Sequence, residues 1–176
     1  MGGLILPAEG TVYLDTNSFI YSVERIDPYR AILDTLWQTV STGQFTVITS
    51  ELTLLEVLVK PLKVGDATTA ATFRAVLRNT PDVQMLPITQ VVLEKAANLR
   101  ATLNLKTPDA IHAATAVLQS CKLFVSNDAA FRRVPSLNVA VLNEIISPPL
   151  NISTSTENDE LNEDLPTAGD SAEQQV

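Results

Sequence analysis

The chain has 176 residues, of which 45% are hydrophobic and 18% charged, a composition that predicts one folded domain and excludes a wholly disordered chain. No apolar run approaches the roughly 20 residues that a membrane-spanning helix needs, and the start MGGLILPAEG lacks the pattern of a secretory signal. The single cysteine, Cys121, excludes an internal disulfide. We therefore expect a cytoplasmic protein with no membrane contact.

The formal net charge of −8 is unevenly distributed along the chain. The residues from Asn151 onward contain seven acids and neither Lys nor Arg, which leaves −1 for the first 150 residues. Because this C-terminal segment has almost no large apolar side chains, we expect a folded domain over 1–150 and an acidic disordered tail over 151–176. The nearly neutral domain neither indicates nor excludes a nucleic-acid partner.

The first third of the chain predicts a strand followed by two helices. The β-type run from Thr11 to Leu14 ends at Asp15, and a helical stretch continues through Val23. Apolar residues at helical spacing then predict a helix that ends before Gly43.

The middle of the chain repeats this alternation. The segment FTVIT at 45–49 predicts a second strand, and Ser50 is a suitable N-cap for the helix ELTLLEVLVK. We expect Pro61 to end that helix. A helix over 66–78, a weaker strand VQMLPI and a long helix through Leu103 follow.

The last third begins with a strong helix start, Thr107-Pro108-Asp109, in which Thr107 is predicted as the N-cap and Pro108 as the first helical residue. After the helix DAIHAATAVLQS, the segment KLFVS predicts a fourth strand, and a short helix and a last strand over 138–142 follow. Strands that alternate with helices of this length need crossover connections. The sequence therefore predicts an α/β fold, a three-layer α/β/α sandwich with a central, mostly parallel sheet.

Four acids are predicted to meet at one edge of that sheet. Asp15 directly follows the first strand and Asp128 follows the fourth after one residue. Glu56 lies in the helix that leaves the second strand, and Asp109 opens the helix that leads into the fourth. Ligands of parallel sheets bind beyond the carboxyl ends of the strands. Clustered carboxylates repel one another unless a cation neutralises them, and oxygen ligands favour Mg²⁺ or Mn²⁺.

Each acid also has an ordinary structural role available. Asp15 and Asp128 could cap helices, and Asp109 could be a first-turn acid. Glu56 could pair with Lys60 at i,i+4, although its apolar neighbours make a solvated glutamate unnatural there. Four such coincidences at one edge are less expected than one, so the pattern favours a metal site.

Four segments resemble the successive motifs of PIN domains, especially those of VapC-type toxins: YLDTNSFIY, TSELTLLEVLVKPL, TPDAIHAATA and FVSNDAAF. The resemblance covers about Thr11 to Asn143. It implies a PIN-like sandwich, a Mg²⁺ or Mn²⁺ cofactor and endoribonuclease activity on an RNA substrate. Matched position by position, it places the catalytic and metal-binding acids at Asp15, Glu56, Asp109 and Asp128.

The resemblance also implies partners. Many relatives carry an acid directly before the phenylalanine of the fourth motif, where this chain has Ala130, and Asp128 is offered instead. VapC-type toxins belong to type II toxin–antitoxin pairs, which implies a cognate antitoxin protein. Together with the apolar stretch LTLLEVLV, the resemblance predicts a homodimer. The alternative is a catalytically silent PIN fold that acts as an RNA-binding or protein-interaction module.

Polar residues beside the acids are candidates for orienting them, although each could instead cap a helix. They are Thr16, Asn17, Ser126 and Asn127. The one histidine, His112, stands three residues after Asp109 and is interpreted chiefly as a structural residue. Several basic residues near the acids could meet substrate phosphates: Lys60, Lys63, Lys106, Arg132 and Arg133.

Overall fold

A computed structural model describes residues 3–146, and within that range five strands form one sheet in the order β3-β2-β1-β4-β5. All neighbouring strands pair in parallel. The strands are β1 Thr11–Leu14, β2 Thr46–Ser50, β3 Val83–Leu86, β4 Leu123–Ser126 and β5 Val139–Val141. The predicted acidic tail over 151–176 lies outside the described residues.

Helices follow the strands as crossover connections. The α-helices are α1 Thr16–Val23, α2 Arg30–Ser41, α3 Glu51–Val64, α4 Ala67–Asn79, α5 Gln90–Leu103, α6 Thr107–Leu118 and α7 Leu142–Ile146. A 3₁₀ helix, Ala129–Arg133, joins β4 to the segment before β5. Across residues 3–146, no helix is long and apolar enough to cross a membrane.

The hydrophobic core lies in two layers, one on each face of the sheet. Successive strand residues point to opposite faces, and β1 accordingly places Val12 and Leu14 in one core cluster and Tyr13 in the other. The first cluster contains apolar residues of α1 to α4, and the second contains those of α5 and α6. This arrangement confirms the predicted three-layer α/β/α sandwich.

Strand order determines where a ligand crevice forms. From the central strand β1, the chain adds β2 and β3 on one side and then crosses to add β4 and β5 on the other. The direction of winding therefore reverses between β1 and β4. In parallel sheets, a crevice opens at the carboxyl ends of the strands at such a switch point.

Two predicted helix boundaries are wrong. Pro61 lies inside α3, where its ring is buried, and the helix continues to Val64. The helix ends at Gly65, whose φ of 74° gives the left-handed cap that glycine adopts without steric cost. The N-cap of α6 is Lys106, which makes no side-chain capping bond, so Thr107 is already helical. The short helix α7 has no counterpart in the sequence prediction.

Candidate functional site

A polar cavity of about 280 Å³ lies at the carboxyl edge of the sheet. All four predicted acids line it: Asp15, Glu56, Asp109 and Asp128. The remaining lining residues are Thr16, Asn17, Ile20, His112 and Phe131. The fold thus brings together four carboxylates that are separated by up to 113 positions in the chain.

Asp15 is the most firmly held of the four acids and is only 4% exposed. The backbone N–H and the hydroxyl of Ser18 each donate to Oδ1 over 3.1 Å, and the hydroxyl of Ser126 donates to Oδ2 over 2.5 Å. Burial raises the pKa of Asp15, and the hydrogen bonds from Ser126 and Ser18 oppose that rise. Asp15 therefore caps α1, as the structural interpretation allowed, and also faces the cavity.

Glu56 is half-buried and is held through one carboxylate oxygen. The hydroxyl of Thr16 donates to Oε2, and Nε2 of His112 lies 3.0 Å from the same atom. Burial disfavours ionisation of Glu56, but the hydrogen bonds from His112 and Thr16 outweigh burial and lower its pKa. The alternative i,i+4 pair is not formed, because Lys60 binds Glu24 instead.

Asp109 and Asp128 are less enclosed. Asp109 is half-buried near the start of α6, and its pKa is raised first by burial and then by the negative charge of Asp128, whereas Lys106 lowers it. Asp128 is exposed, and its Oδ1 accepts the N–H of Ala130 over 2.7 Å as the cap of the 3₁₀ helix. The negative charge of Asp128 therefore disfavours ionisation of Asp109 at this end of the cavity.

Of the four polar residues that flank the acids in the sequence, three lie at the cavity or bond to its acids and one does not. Thr16 and Ser126 donate directly to site carboxylates, and Asn17 lines the cavity. Asn127 is turned elsewhere, because its amide donates to the hydroxyls of Tyr21 and Tyr29 over 3.2 and 3.0 Å.

Two contacts of the site were missed by sequence reasoning. Ser18 lies three residues after the helix cap Asp15, a spacing that fits a capping bond and was available from the sequence. Tyr13 was interpreted only as part of a strand, yet its hydroxyl lies 2.8 Å from Nδ1 of His112. A buried tyrosine needs a partner for its hydroxyl, but the sequence does not identify that partner. His112 makes no hydrogen bond to Asp109 in the described structure.

Some of the basic side chains that were predicted to contact substrate phosphates are bound to other groups of the protein. Arg132 forms a two-pronged ion pair with Glu144, and Arg133 donates to the backbone oxygens of Leu103 and Ala130. Lys106 is close enough to Asp109 to influence its pKa. Of these cations, Lys106 is the one whose charge acts on a carboxylate of the cavity.

The donor chemistry of the cavity fits a hard divalent cation. Its four acids offer only carboxylate oxygens, and the pKa of Asp109 is raised by burial first and then by the negative charge of Asp128, which a cation would offset. As they stand, no three His, Cys, Asp or Glu side chains among residues 3–146 are close enough together to hold a metal ion.

Comparisons with known proteins agree on the fold. The family model described as PIN domain matches residues 12–137. No curated protein sequence matches the chain at a significant level.

Three solved structures illustrate the likeness. VapC20 of Mycobacterium tuberculosis, described as a sarcin–ricin loop cleaving toxin, is 18% identical with a TM-score of 0.58, over 69% of this chain and 92% of its own. FitAcB of Neisseria gonorrhoeae is 17% identical with a TM-score of 0.57, over 74% and 97%. VapBC2 of Rickettsia felis, bound to a promoter DNA fragment, is 19% identical with a TM-score of 0.55, over 74% and 98%. At these identities the likeness concerns the fold.

Proposed function

The chain belongs to the PIN domain family, and we propose that it is a metal-dependent endoribonuclease that hydrolyses RNA phosphodiester bonds. The observation that carries the proposal is the convergence of four carboxylates on one cavity at the switch point of the sheet. Such a concentration of like charge disfavours the metal-free state, and a structural role for each acid alone does not explain it.

The proposed cofactor is Mg²⁺ or Mn²⁺, held by Asp15, Glu56, Asp109 and Asp128. When bound, such an ion supplies an activated water and stabilises charge on the phosphate and the leaving oxygen. Asp15 is oriented in advance by Ser18 and Ser126, which limits the rearrangement needed at that position. Asp109 and Asp128 are less enclosed and are the acids with most freedom to approach the cation.

The surroundings of the acids suggest how an RNA backbone would be received. Lys106 adjoins Asp109 and offers a positive charge beside the cavity. The cavity is also lined by Phe131 and Ile20, which give it an apolar surface beside the acids. We expect the scissile phosphate to lie at the edge of the cavity, beside these residues.

We further propose that the protein is the toxin of a type II toxin–antitoxin pair with a cognate antitoxin. The structures with a similar fold include VapBC2, which was solved with promoter DNA, and a toxin that cleaves the sarcin–ricin loop. A homodimer is proposed from α3, which leaves Leu55, Val59 and Leu62 exposed at i, i+4 and i+7 spacing on one face.

The test is direct incubation of the purified protein with several structured RNAs. We expect new RNA ends with Mg²⁺ or Mn²⁺ present and none after chelation by EDTA. Cleavage that is unchanged by EDTA would overturn the metal-dependent mechanism. RNA that is bound but remains intact with both metals would favour the alternative, a catalytically silent PIN module.

A further inference from the structure

Tyr13, His112 and Glu56 form a continuous row of hydrogen bonds that leads from the core to the cavity. The N–H of Ser50 donates to the hydroxyl oxygen of Tyr13 over 3.0 Å, and that oxygen lies 2.8 Å from Nδ1 of His112. On the other side of the imidazole, Nε2 lies 3.0 Å from Oε2 of Glu56. Tyr13 is fully buried and His112 is only 3% exposed, so water does not compete for the bond between them.

The direction of each hydrogen bond in this row depends on which of its two atoms carries the proton. Burial raises the pKa of Tyr13 well above its ordinary value, so its hydroxyl keeps its proton. The N–H of Ser50 already points at the hydroxyl oxygen, and the tyrosine proton is directed at Nδ1 of His112. With the tyrosine proton directed this way, Nδ1 accepts, and the imidazole N–H that faces Glu56 is the one on Nε2.

This arrangement has a consequence for Glu56. Its Oε2 receives two donors, Nε2 of His112 and the hydroxyl of Thr16. Its Oε1 has no hydrogen bond to any residue in the described range 3–146. These two donors fix the orientation of the carboxylate from the Oε2 side, and the nearby Lys60 is bound to Glu24.

We propose that Tyr13 and His112 form a positioning relay that holds Glu56, with Oε1 left free to bind a divalent cation. The relay acts through Glu56, so Tyr13 and His112 are positioning residues. The inference rests on the proposed metal-dependent function and extends it to two residues outside the four acids.

The first measurement is the protonation pattern of the imidazole. His112 is the one histidine of the chain, so a long-range ¹H–¹⁵N spectrum contains one set of ring signals. We expect the proton on Nε2 in the metal-free wild type. The Tyr13→Phe variant keeps the ring stacked on Phe124, whose centroid lies 4.8 Å away, and should lose this fixed preference. A proton fixed on Nδ1 in the wild type would overturn the relay.

The second measurement is Mn²⁺ affinity by calorimetry without RNA. Loss of a partner that orients a metal ligand commonly weakens metal binding by about 10- to 100-fold, and we expect a change of that size for Tyr13→Phe. Thr115→Val is the control. It also removes a buried hydroxyl, but this one lies on α6 and donates only to a backbone oxygen. Its affinity should equal that of the wild type.

A double-mutant comparison separates positioning from general damage. If the relay acts through Glu56, Tyr13→Phe should have no further effect on Mn²⁺ affinity in a Glu56→Gln background. If Tyr13→Phe does not fold, His112→Leu and His112→Gln replace it. Gln can return an N–H donor to Oε2, so His112→Gln should bind Mn²⁺ more tightly than His112→Leu.

The outcomes distinguish the relay from the proposed function. Equal affinity of Tyr13→Phe and wild type, or an equal loss in both backgrounds, overturns the relay even if the wild type cleaves RNA. If the relay is found and Mn²⁺ binds but RNA is not cut, the endoribonuclease proposal fails and the relay stands. A wild type that binds no Mn²⁺ overturns both.

Discussion

The hydroxyl of Ser126 lies 2.5 Å from Oδ2 of Asp15 and joins the carboxyl ends of β1 and β4 across 111 positions of the chain. The hydroxyl oxygen of Ser126 also accepts the backbone N–H of Asp128 over 3.0 Å. One buried serine therefore connects two of the four acids.

Ser126→Ala should destabilise the protein and slow RNA cleavage. The change leaves a buried carboxylate oxygen of Asp15 without its donor, which costs about 1–3 kcal/mol. The pKa of Asp15 should rise further, because this hydrogen bond opposes the effect of burial. Urea unfolding measures the loss of stability, and Thr115→Val serves as a buried-hydroxyl control for cleavage. A Ser126→Ala protein with wild-type stability would show that the bond has no energetic role.

Asp109→Asn should stabilise the metal-free protein at neutral pH while abolishing metal-dependent cleavage. The pKa of Asp109 is raised in the folded state, so its ionised form is disfavoured by folding. That penalty is fully present above the raised pKa and vanishes below the ordinary pKa of an aspartate. The stabilisation by Asn should therefore disappear as the pH falls through the carboxyl range, and solvent screening keeps it below about 1 kcal/mol. Thermal melts with EDTA across that range test the sign, and a gain that grows towards acid pH would contradict it.

Val59→Glu should convert the proposed homodimer into a monomer. Val59 is 56% exposed between Leu55 and Leu62 on α3, and a charge there would have to be desolvated in a dimer. Sedimentation at micromolar concentration measures the change. The matched control is Leu118→Glu, at another exposed apolar position, on α6. A wild-type protein that sediments as a monomer would refute the dimer, and a dimer that both variants retain would exclude this face.

Cys121 should not react with thiol reagents in the folded protein. The thiol is buried, and burial raises its pKa to about 11. At pH 8 roughly one thiol in a thousand is ionised, and the thiolate is the reactive form. We expect no rapid labelling by a disulfide reagent at pH 8 until denaturant is added. Rapid labelling in native buffer would show that the β4 end of the core opens.

The sequence was informative where a local pattern decides the structure. Asp15 and Asp128 could be placed because each follows a β-branched or apolar strand, and parallel strands bring their carboxyl ends to one edge. Pro61 predicts a helix end that the structure does not have, because the proline ring is buried inside α3 and the helix ends at the left-handed Gly65. Such packing depends on the tertiary structure, not on the local sequence.

The hydrogen bonds around Glu56 could not be predicted for the same reason. Tyr13 and His112 are 99 positions apart, and His112 and Glu56 are 56 apart. Only the relative position of β1, α3 and α6 brings them together. Asp109 and His112 lie three residues apart on α6 and both line the cavity, but the hydrogen bonds of the imidazole are to Tyr13 and Glu56.

The most direct test compares Asp15→Asn with Asp66→Asn in one RNA cleavage assay with Mg²⁺ or Mn²⁺. Both aspartates cap helices, since Asp15 accepts the N–H of Ser18 and Asp66 that of Thr69, and asparagine caps about as well. Only Asp15 lies in the cavity of the four acids. Both variants should remain folded at the assay temperature, which thermal melts check. We predict that Asp66→Asn cleaves RNA at the wild-type rate and that Asp15→Asn is slower by orders of magnitude. Cleavage by Asp15→Asn at the wild-type rate would contradict the assignment of the metal-dependent nuclease site.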